Sequence, residues 1–412
     1  MSVYGDQLNP YRIPRKPLGI KGIKSSVVIT NNPSTIDQNQ LLTIRFPNLG
    51  DHDVIVPNSC RLSFNIELDS TDVNATIVQN LGRAIINKIS IKLDSNEVYC
   101  LDDSDIYNLY LDLFLPIKVR TNSVYQGIQD ANVAKLRVGA DDALDDRPAD
   151  VCIARAYGNR FYIPLDFEML TDHCPFYQSG LASRLSFELT FNSYARVIRS
   201  TDVNSKYKIT NISLEYDLVC ERSLSRVIHQ QYQSGLVILY ERVLRQRKFI
   251  CNKSDTVWNI NLNTPARSLT GILLIFESVT ANPAFGRNSE LFYNPLINKV
   301  SITIEGKPNQ LYAHGLQTYQ HWDEIAKFAE NDLSLVDIKN YFTTYYALWL
   351  DFRTNPDRTL HGNGRRIEGG SDGITLLIEK TAEAAGVLNC YIYLVMDAQI
   401  NIANGQFKDV LY

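Results

Sequence analysis

The chain has 412 residues, of which 45% are hydrophobic and 21% are charged, a balance typical of globular proteins with enough apolar material for two to four domains. Its net charge of −4 argues against a surface built throughout for nucleic acid. The sequence has no run of about 18 apolar residues, so no membrane span is predicted. Residues 1–7 lack the apolar core of a secretion signal.

Seven cysteines are scattered along the sequence without a C-x-x-C pair. An odd number of cysteines without close spacing is typical of reduced thiols and not of a disulfide framework. We therefore expect a protein that is made in the reducing environment of the cytoplasm or nucleus.

Residues 1–24 are predicted to form a basic arm. They contain three prolines, which disfavour regular structure, and five basic residues against the single acidic residue Asp6. The basic residues are Arg12, Arg15, Lys16, Lys21 and Lys24. This charge favours an acidic partner, which could be a neighbouring subunit or nucleic acid. A solvated tail without a partner is the simpler alternative.

Residues 25–220 alternate between apolar and polar side chains in the way that is typical of half-buried strands. One short amphipathic helix is predicted at 102–115. Residues 121–150 have few large apolar groups and include five aspartates between 141 and 150, which predicts a long exposed loop. Strands are predicted at 27–30, 41–46, 61–68, 86–95, 161–167, 185–191 and 208–219.

The second half of the chain repeats the first after a predicted linker at 221–243. The sequence INKVSITIEG at 297–306 matches INKISIKLDS at 86–95. The surrounding elements recur in the same order, with a helix at 321–329 and strands at 346–352, 373–379 and 390–395. A repeat of about half the chain length indicates two similar domains.

These patterns predict an all-β fold of two tandem eight-stranded jelly-roll sandwiches with short accessory helices. A parallel α/β fold would need a helix after almost every strand, and an immunoglobulin-type domain is shorter. The double-sheet jelly roll accommodates eight strands with long connections. The predicted domains are an arm at 1–24, a first jelly roll at 25–220, a linker at 221–243 and a second jelly roll at 244–412.

The repeated strand has a predicted orientation in the sandwich. Successive side chains of a strand point to opposite faces. We therefore expect Ile302 and Ile304 to lie in the core, and Lys299 and Thr303 to face outwards.

No motif for nucleotide binding, zinc-dependent proteolysis or serine hydrolysis occurs in the sequence. A glycine-rich loop at 361–370 could hold phosphate, although a connection between strands is the simpler interpretation. The pairs His173 with Cys174 and His314 with His321 lack the further ligands or base that a metal site or a nucleophile needs. We therefore predict no catalytic residue, no cofactor, no metal site and no enzymatic activity.

Five stretches of the second half resemble the major capsid proteins of Polinton/Maverick elements and adintoviruses, which are related to the adenovirus hexon and to virophage capsid proteins. The stretches are NLNTPARSLTGIL at 261–273, FYNP at 292–295, LYAHGL at 311–316, TLHGNG at 359–364 and GITLLIEK at 373–380. The resemblance implies a double jelly roll that forms homotrimeric, pseudo-hexagonal capsomers.

Further expectations follow from the same resemblance. It implies an icosahedral shell around a double-stranded DNA genome, assembled in the host nucleus or cytoplasm, with neighbouring capsomers, penton proteins and minor capsid proteins as partners. The basic arm would then lie under the shell, against other subunits or, in a salt-dependent way, against the genome.

A carbohydrate-binding or carbohydrate-active double jelly-roll protein is the alternative function. A carbohydrate-cleaving enzyme would need a pair of carboxylates that face each other across a cleft. Asp351 and Glu379 are the candidates for that pair.

Overall fold

Strands are the predominant regular structure of this chain. The computed structural model describes residues 21–28, 35–47, 49–129, 131–138, 158–171, 178–329, 335–355, 357, 360–368 and 373–412. Within these residues the chain forms two sandwiches, one from each half, and this confirms the predicted pair of jelly rolls.

The first jelly roll has two facing sheets. Its strands are β1 (Lys21–Val28), β2 (Thr35–Ile36), β3 (Leu41–Arg45), β4 (Asp53–Ile55), β5 (Arg61–Asp69), β6 (Thr76–Ile77), β7 (Ile86–Leu93), β8 (Asn96–Asp102), β9 (Arg160–Pro164), β10 (Leu185–Phe191), β11 (Ile198–Arg199) and β12 (Lys206–Cys220). One sheet has the order β1-β12-β5-β9, with β2 and β4 also paired to β12. The other has the order β3-β10-β7-β8, and β6 pairs with β11 separately.

The second jelly roll repeats this arrangement. Its strands are β13 (Leu236–Asn252), β14 (Val257–Leu262), β15 (Ala266–Ser278), β16 (Ile297–Ile304), β17 (Lys307–Pro308), β18 (Leu316–Gln317), β19 (Ala347–Asp351), β20 (Arg365–Ile367), β21 (Ile374–Lys380), β22 (Val387–Ala403) and β23 (Gln406–Leu411). Its sheets have the orders β13-β22-β15-β19 and β14-β21-β16-β17. Strands at equal positions of the two rolls therefore correspond.

Helices are short and lie outside the sheets. They are α1 (Leu81–Ala84), α2 (Ser104–Asp112), α3 (Ile117–Asn122), α4 (Ala131–Val138), α5 (Glu168–Thr171), α6 (Tyr194–Val197), α7 (Arg222–Ser234), α8 (His321–Phe328) and α9 (Ile338–Thr343). The helices α2 and α8 confirm the two helices predicted at 102–115 and 321–329. In the described part of the chain, no helix has the length and apolar character to cross a membrane.

The repeated sequence encodes the same local structure twice. It forms β7 and β16, which hold the third position in their sheets. The pairing of β7 with β10 skips Asn87, and the pairing of β16 with β21 skips Asn298. A residue skipped in this way forms a β-bulge, which bends the strand. The shared Ile-Asn-Lys sequence thus marks a bulge in both rolls.

The core of each roll lies between its two sheets. In the first roll the ring of Phe46, beside β3, lies 5.9 Å from that of Tyr216 on the opposite sheet. In the second roll Trp258 of β14 lies 6.0 Å from Phe276 of β15. These aromatic pairs fill the space between sheets that pack about 10 Å apart.

The predicted orientation of β16 is confirmed. Ile302 and Ile304 are 3% and 0% exposed, whereas Lys299 and Thr303 are partly exposed. The alternation follows from the pleat of the strand, since one face packs on the sandwich core and the other meets solvent.

The sheet begins earlier than the predicted boundary of the arm. Lys21 is the first residue of β1 and pairs with Cys220, and Lys24 pairs with Asp217. The last four residues of the predicted arm therefore belong to a strand. The long edge of β12 offers backbone hydrogen bonds that composition does not reveal.

The segment predicted as a linker, 221–243, instead contains α7 and the first eight residues of β13. Leu224, Ile228 and Tyr232 recur every four residues, which places them on one face of a helix, and Ile228 and Tyr232 are buried. Glu221 caps the helix, because its carboxylate accepts hydrogen bonds from the backbone N–H groups of Ser223 and Leu224. The basic residues of this segment obscured the apolar spacing.

The predicted loop at 121–150 is partly helical. It contains the end of α3 and all of α4. Arg137 of α4 is buried, and its guanidinium donates to the carbonyl oxygens of Val124, Gly158 and Arg160 at 2.6–2.8 Å. A buried arginine that orders three backbone segments cannot be recognised from a polar composition. The aspartates between 141 and 150 lie outside the described residues.

Candidate functional site

The junction between the two jelly rolls contains a buried group of four charges. Asp105 and Arg196 come from the first roll, and Glu277 and Arg287 come from the second. Each arginine contacts both carboxylates, at N–O distances of 3.1 to 3.3 Å. The hydroxyl of Tyr391 also donates to Glu277 at 3.0 Å. The group is neutral overall, and each roll contributes one arginine and one carboxylate to it.

Burial of this group makes the pairing obligatory. Asp105, Glu277 and Arg287 are at most 4% exposed. Burial alone would raise the pKa of Glu277, but Arg287 and Arg196 outweigh it and hold that pKa below its usual range. A buried charge without its partner costs several kcal/mol. The four charges therefore fix the orientation of one roll on the other.

A second link joins the rolls through His361. Its Nε2 lies 3.0 Å from Glu168 of α5 in the first roll, and its Nδ1 lies 3.0 Å from Asp397 of β22 in the second. The hydrogen bonds to Asp397 and Glu168 raise the pKa of His361 to about 10. The imidazole is therefore a cation near neutral pH and bridges two carboxylates.

Apolar and backbone contacts complete the junction. The rings of Tyr107 and Tyr393 lie 5.2 Å apart, as do those of Tyr110 and Phe292. The Tyr393 hydroxyl donates to the backbone oxygen of Asp103 at 2.8 Å. The junction is thus a continuous packed interface, and aromatic pairs of this kind stabilise it beyond their buried area.

The glycine-rich loop predicted as a possible phosphate site belongs to this junction. The backbone N–H of Gly362 donates to Asp397 at 2.8 Å, and that of Gly364 donates to the hydroxyl of Ser268 at 3.0 Å. The hydroxyl of Ser268 donates to Asp397 in turn. These donors are satisfied by the protein itself, and a carboxylate stands where a phosphate would bind. Residues 369 and 370 lie outside the described residues.

The carboxylates considered for carbohydrate cleavage are not brought together. Asp351 of β19 is 4% exposed and pairs with Arg353 at 2.8 Å. Glu379 of β21, on the opposite sheet, lies 3.7 Å from Lys299. A glycosidase needs its two carboxylates about 5 to 10 Å apart across a cleft, and these two side chains have separate partners on separate sheets.

Among the described residues, His314 and His321 do not belong to a metal site. His321 is buried, its Nδ1 lies 3.0 Å from the hydroxyl of Tyr346, and burial lowers its pKa to about 4. His314 is exposed. His173 and Cys174 lie outside the described residues. Within the part of the chain that the structure describes, no group of three or more His, Cys, Asp or Glu side chains could hold a metal ion.

The basic arm is described only at its end. Arg12, Arg15 and Lys16 lie outside the described residues. Lys21 and Lys24 lie on β1, at the edge of the sheet opposite Cys220 and Asp217.

A second internal repeat, not predicted above, forms a clasp at one end of the first roll. We define the clasp as residues 70–75 and 200–205, which both begin with Ser-Thr-Asp-Val-Asn. The N–H and hydroxyl of Thr71 donate to Asp202 at 3.0 and 2.8 Å, and those of Thr201 donate to Asp72 at 2.6 and 2.8 Å. These bonds lower the pKa of Asp72 to about 2 and also lower that of Asp202.

The clasp has an approximate two-fold symmetry. Strand pairing continues on both sides of the clasp. Asp69, just before the first half, pairs with Lys206, just after the second half. Thr76, just after the first half, pairs with Arg199, just before the second half. The five-residue identity is visible in the sequence, 130 residues apart. The number of residues between these two copies differs from the spacing of the half-length repeat. Only the pairing of strands in the sheet brings the two copies into contact.

Comparisons with solved structures place this architecture among known folds. Over 95% of this chain and 97% of the other, it matches a chain of the PBCV-1 virus capsid with a TM-score of 0.61 and 13% identity. A chain of the Sputnik virophage matches with a TM-score of 0.62 and 11% identity, over 94% and 88% of the two chains. The major capsid protein of mavirus matches with a TM-score of 0.53 and 11% identity, over 95% and 90%.

The chain has the fold of viral major capsid proteins. No protein-family model and no curated protein sequence matches it. The likeness therefore lies in the three-dimensional arrangement, and it extends through both rolls. Of the proteins named above, one is a chain of the PBCV-1 virus capsid and another is the mavirus major capsid protein.

Proposed function

We propose that this chain is a major capsid protein, whose copies assemble into the shell of a virus or a virus-like transposon. The observation that carries the proposal is the tandem pair of jelly rolls with one strand order, matched over nearly the full length of capsid chains. A protein of this type is structural, so its functional surfaces are contacts with other copies. Among the described residues, Asp351 and Glu379 have separate partners, which gives the carbohydrate-related alternative no support.

We infer that the assembling unit is a homotrimer. Three copies of a chain with two similar rolls place six similar sandwiches around one axis, and such a body fits a hexagonal lattice. The buried charges and packed rings at the junction support this inference, because they hold the two rolls in one orientation. Rigid subunits favour regular, repeated contacts.

We also propose that the shell is icosahedral and encloses a double-stranded DNA genome, in the lineage of Polinton/Maverick elements, adintoviruses and the adenovirus hexon. The sequence stretches given above, such as 261–273, support this assignment. Neighbouring capsomers, penton proteins and minor capsid proteins would be the partners in the virion, and assembly would take place in the host nucleus or cytoplasm.

The proposal is tested by expressing the full chain and measuring its mass in solution. We expect a stable trimer of 46.8-kDa chains, and hexagonal arrays or closed particles in the electron microscope at higher concentration. A strict monomer at every protein concentration and ionic strength, without particles, would contradict the proposal. A glycan-binding screen on the same sample should give no hits.

A further inference from the structure

An open groove crosses the first roll and reaches Phe328 and Ala329 of the second roll. It consists of two adjoining depressions of about 480 and 740 Å³, which share Tyr162, Pro164 and Asp166 in their linings. The first depression reaches Tyr216 of β12, and the second reaches Phe114, just beyond α2. The floor is therefore built from aromatic rings and proline, with carboxylates at its edge.

Several apolar side chains beside the groove are exposed to solvent. The helix α3 buries none of its residues. Ile117, Val119 and Tyr125 are 51%, 45% and 47% exposed, and the Tyr125 ring lies 6.4 Å from that of Tyr162. Exposed apolar groups that border a groove are typical of a binding surface. Grooves lined by aromatic rings are the surfaces that bind proline-rich segments in the polyproline II conformation.

The lining of the groove has a net negative charge, although Arg83 already pairs with Asp112 and Asp166. Glu215 likewise pairs with Arg61. The lining contains four acidic and two basic side chains, namely Asp112, Asp166, Glu215, Asp217, Arg61 and Arg83. The whole segment 25–220 has 25 acidic and 17 basic residues, a net charge of −8, whereas 221–412 has 19 of each. Negative charge is thus concentrated in the roll that carries the groove, and it would attract a basic segment.

The N-terminal arm has the composition that this groove would accept. It contains Pro14-Arg15-Lys16-Pro17, preceded by Pro10 and Arg12. A polyproline II helix has three residues per turn, so two prolines three apart lie on the same edge, with basic side chains between them. Twenty residues in this conformation span about 60 Å, which is enough to reach an adjacent subunit.

We propose that the arm of one copy docks as a polyproline II segment in the first-roll groove of a neighbouring copy. The inference rests on the proposed self-assembly. The direction of β1 favours a neighbour over the same chain: Lys21 pairs with Cys220 and the strand then runs towards Ser213. The chain before Lys21 therefore starts beyond Cys220, and it would have to reverse direction to reach Asp217 and Tyr216.

Cysteine cross-linking in the full chain tests the proposal. The variant Ile13→Cys with Val119→Cys places one thiol in the arm and one beside the groove. Under mild oxidation we expect covalent dimers and trimers on non-reducing gels. The matched control, Ile13→Cys with Val237→Cys, uses a 53% exposed position on the second roll and should give about tenfold less product, as should each single variant.

Two further variants distinguish the contribution of the prolines from that of the basic side chains. Replacing Pro14 and Pro17 by alanine, or Arg15 and Lys16 by glutamate, in the cross-linking variant should lower the yield of linked oligomers by about tenfold. A synthetic peptide of residues 1–20, added in excess, should compete in the same way.

Three results would overturn the inference. A cross-linked product of monomer size would show that the arm folds onto its own chain. Trimers and particles without any cross-link would leave the capsid function standing but exclude this groove. Binding to double-stranded DNA that is lost on neutralising Arg12, Arg15 and Lys16, again without a cross-link, would make nucleic acid the partner. If neither trimers nor particles form, the proposed function itself fails.

Discussion

The two jelly rolls share their strand order and differ at the end where the clasp lies. In the first roll, the connections after β5 and before β12 bind each other through the clasp. In the second roll, the connection at 279–296 crosses to the first roll instead. There the backbone N–H of Phe285 donates to the backbone oxygen of Ala195 at 3.0 Å. The hydroxyl of Ser289 donates to the backbone oxygen of Gln79 at 2.6 Å.

This difference separates two kinds of polar contact. The clasp lies at the surface, where water can replace each lost hydrogen bond. The junction is buried, so a lost partner leaves a charge without solvation. The same strand order thus carries the clasp in the first roll and part of the junction between the rolls in the second. The loss of stability caused by a substitution should therefore increase with burial. We expect the largest losses in the core that both rolls share, smaller losses at the junction and the smallest losses in the clasp.

The largest effect is expected in the core that both rolls share. Ile302→Asp and its equivalent Ile91→Asp would each place a carboxylate at a position that is at most 3% exposed. We expect each to lower the free energy of unfolding by more than about 4 kcal/mol and to prevent recovery of soluble protein. Size-exclusion chromatography measures the recovery. Thr303→Asp, on the outer face, is the control and should remain soluble; equal losses for all three would contradict the assigned register.

Breaking the buried charges at the junction should have the next largest effect. Arg287→Met leaves Asp105 and Glu277 with one arginine between them, and we expect a loss of about 3–5 kcal/mol in urea denaturation. Arg366→Met removes a pair with Glu368 in which both side chains are more than 70% exposed, and it should cost less than about 1 kcal/mol. Similar losses for the two variants would show that the buried charges do not stabilise the junction.

His361 should make the junction sensitive to alkaline pH. Its pKa is raised to about 10 in the folded state, against about 6.5 in an unfolded chain. A raised pKa contributes stability that is complete below about pH 6.5 and is lost as the pH rises towards 10. The difference in Tm between the native chain and His361→Gln should therefore shrink from pH 6 to pH 10. A difference that is constant or grows over this range would argue against the charged bridge.

The clasp should show the smallest effects, equal on its two sides. Thr71→Val and Thr201→Val each remove one hydroxyl that donates to an aspartate, and we expect each to lower the Tm by no more than about 4 °C. Because the pKa of Asp72 is lowered to about 2, the contribution of that carboxylate is present above about pH 4 and is lost only as the pH falls towards 2. Clearly unequal Tm shifts for the two variants would refute the two-fold symmetry.

Much of the fold could be predicted from the sequence. The period-two alternation located strands such as β10 and β16, because a strand with one buried face must alternate. The repeat at 86–95 and 297–306 indicated that the two rolls are equivalent. Similar sequences at equivalent positions of the two sheets form the same strand with the same bulge. Element boundaries are harder to predict, because basic residues mask the apolar spacing of the helix α7 and the start of β13.

The site could be predicted far less well. The composition of the loop at 361–370 is compatible with a strand connection or a phosphate loop, whereas in the structure the backbone N–H of Gly362 donates to Asp397. Asp105 and Arg287 had no local signal, since they meet across a separation of 182 residues. Such contacts depend on the sheet order and on the packing of one roll against the other, which residue spacing along the chain does not specify.

The sequence by itself determined that this protein is built from two similar β-sandwiches, because alternation and internal repetition are local properties of a chain that folds by burying one face of each strand. Only the tertiary structure decided which charges neutralise one another, that two Ser-Thr-Asp-Val-Asn segments hold each other, and where an open groove lies. Those features arise from distant segments that are brought together when the sheets close, and their energies depend on burial, which no short stretch of sequence sets alone.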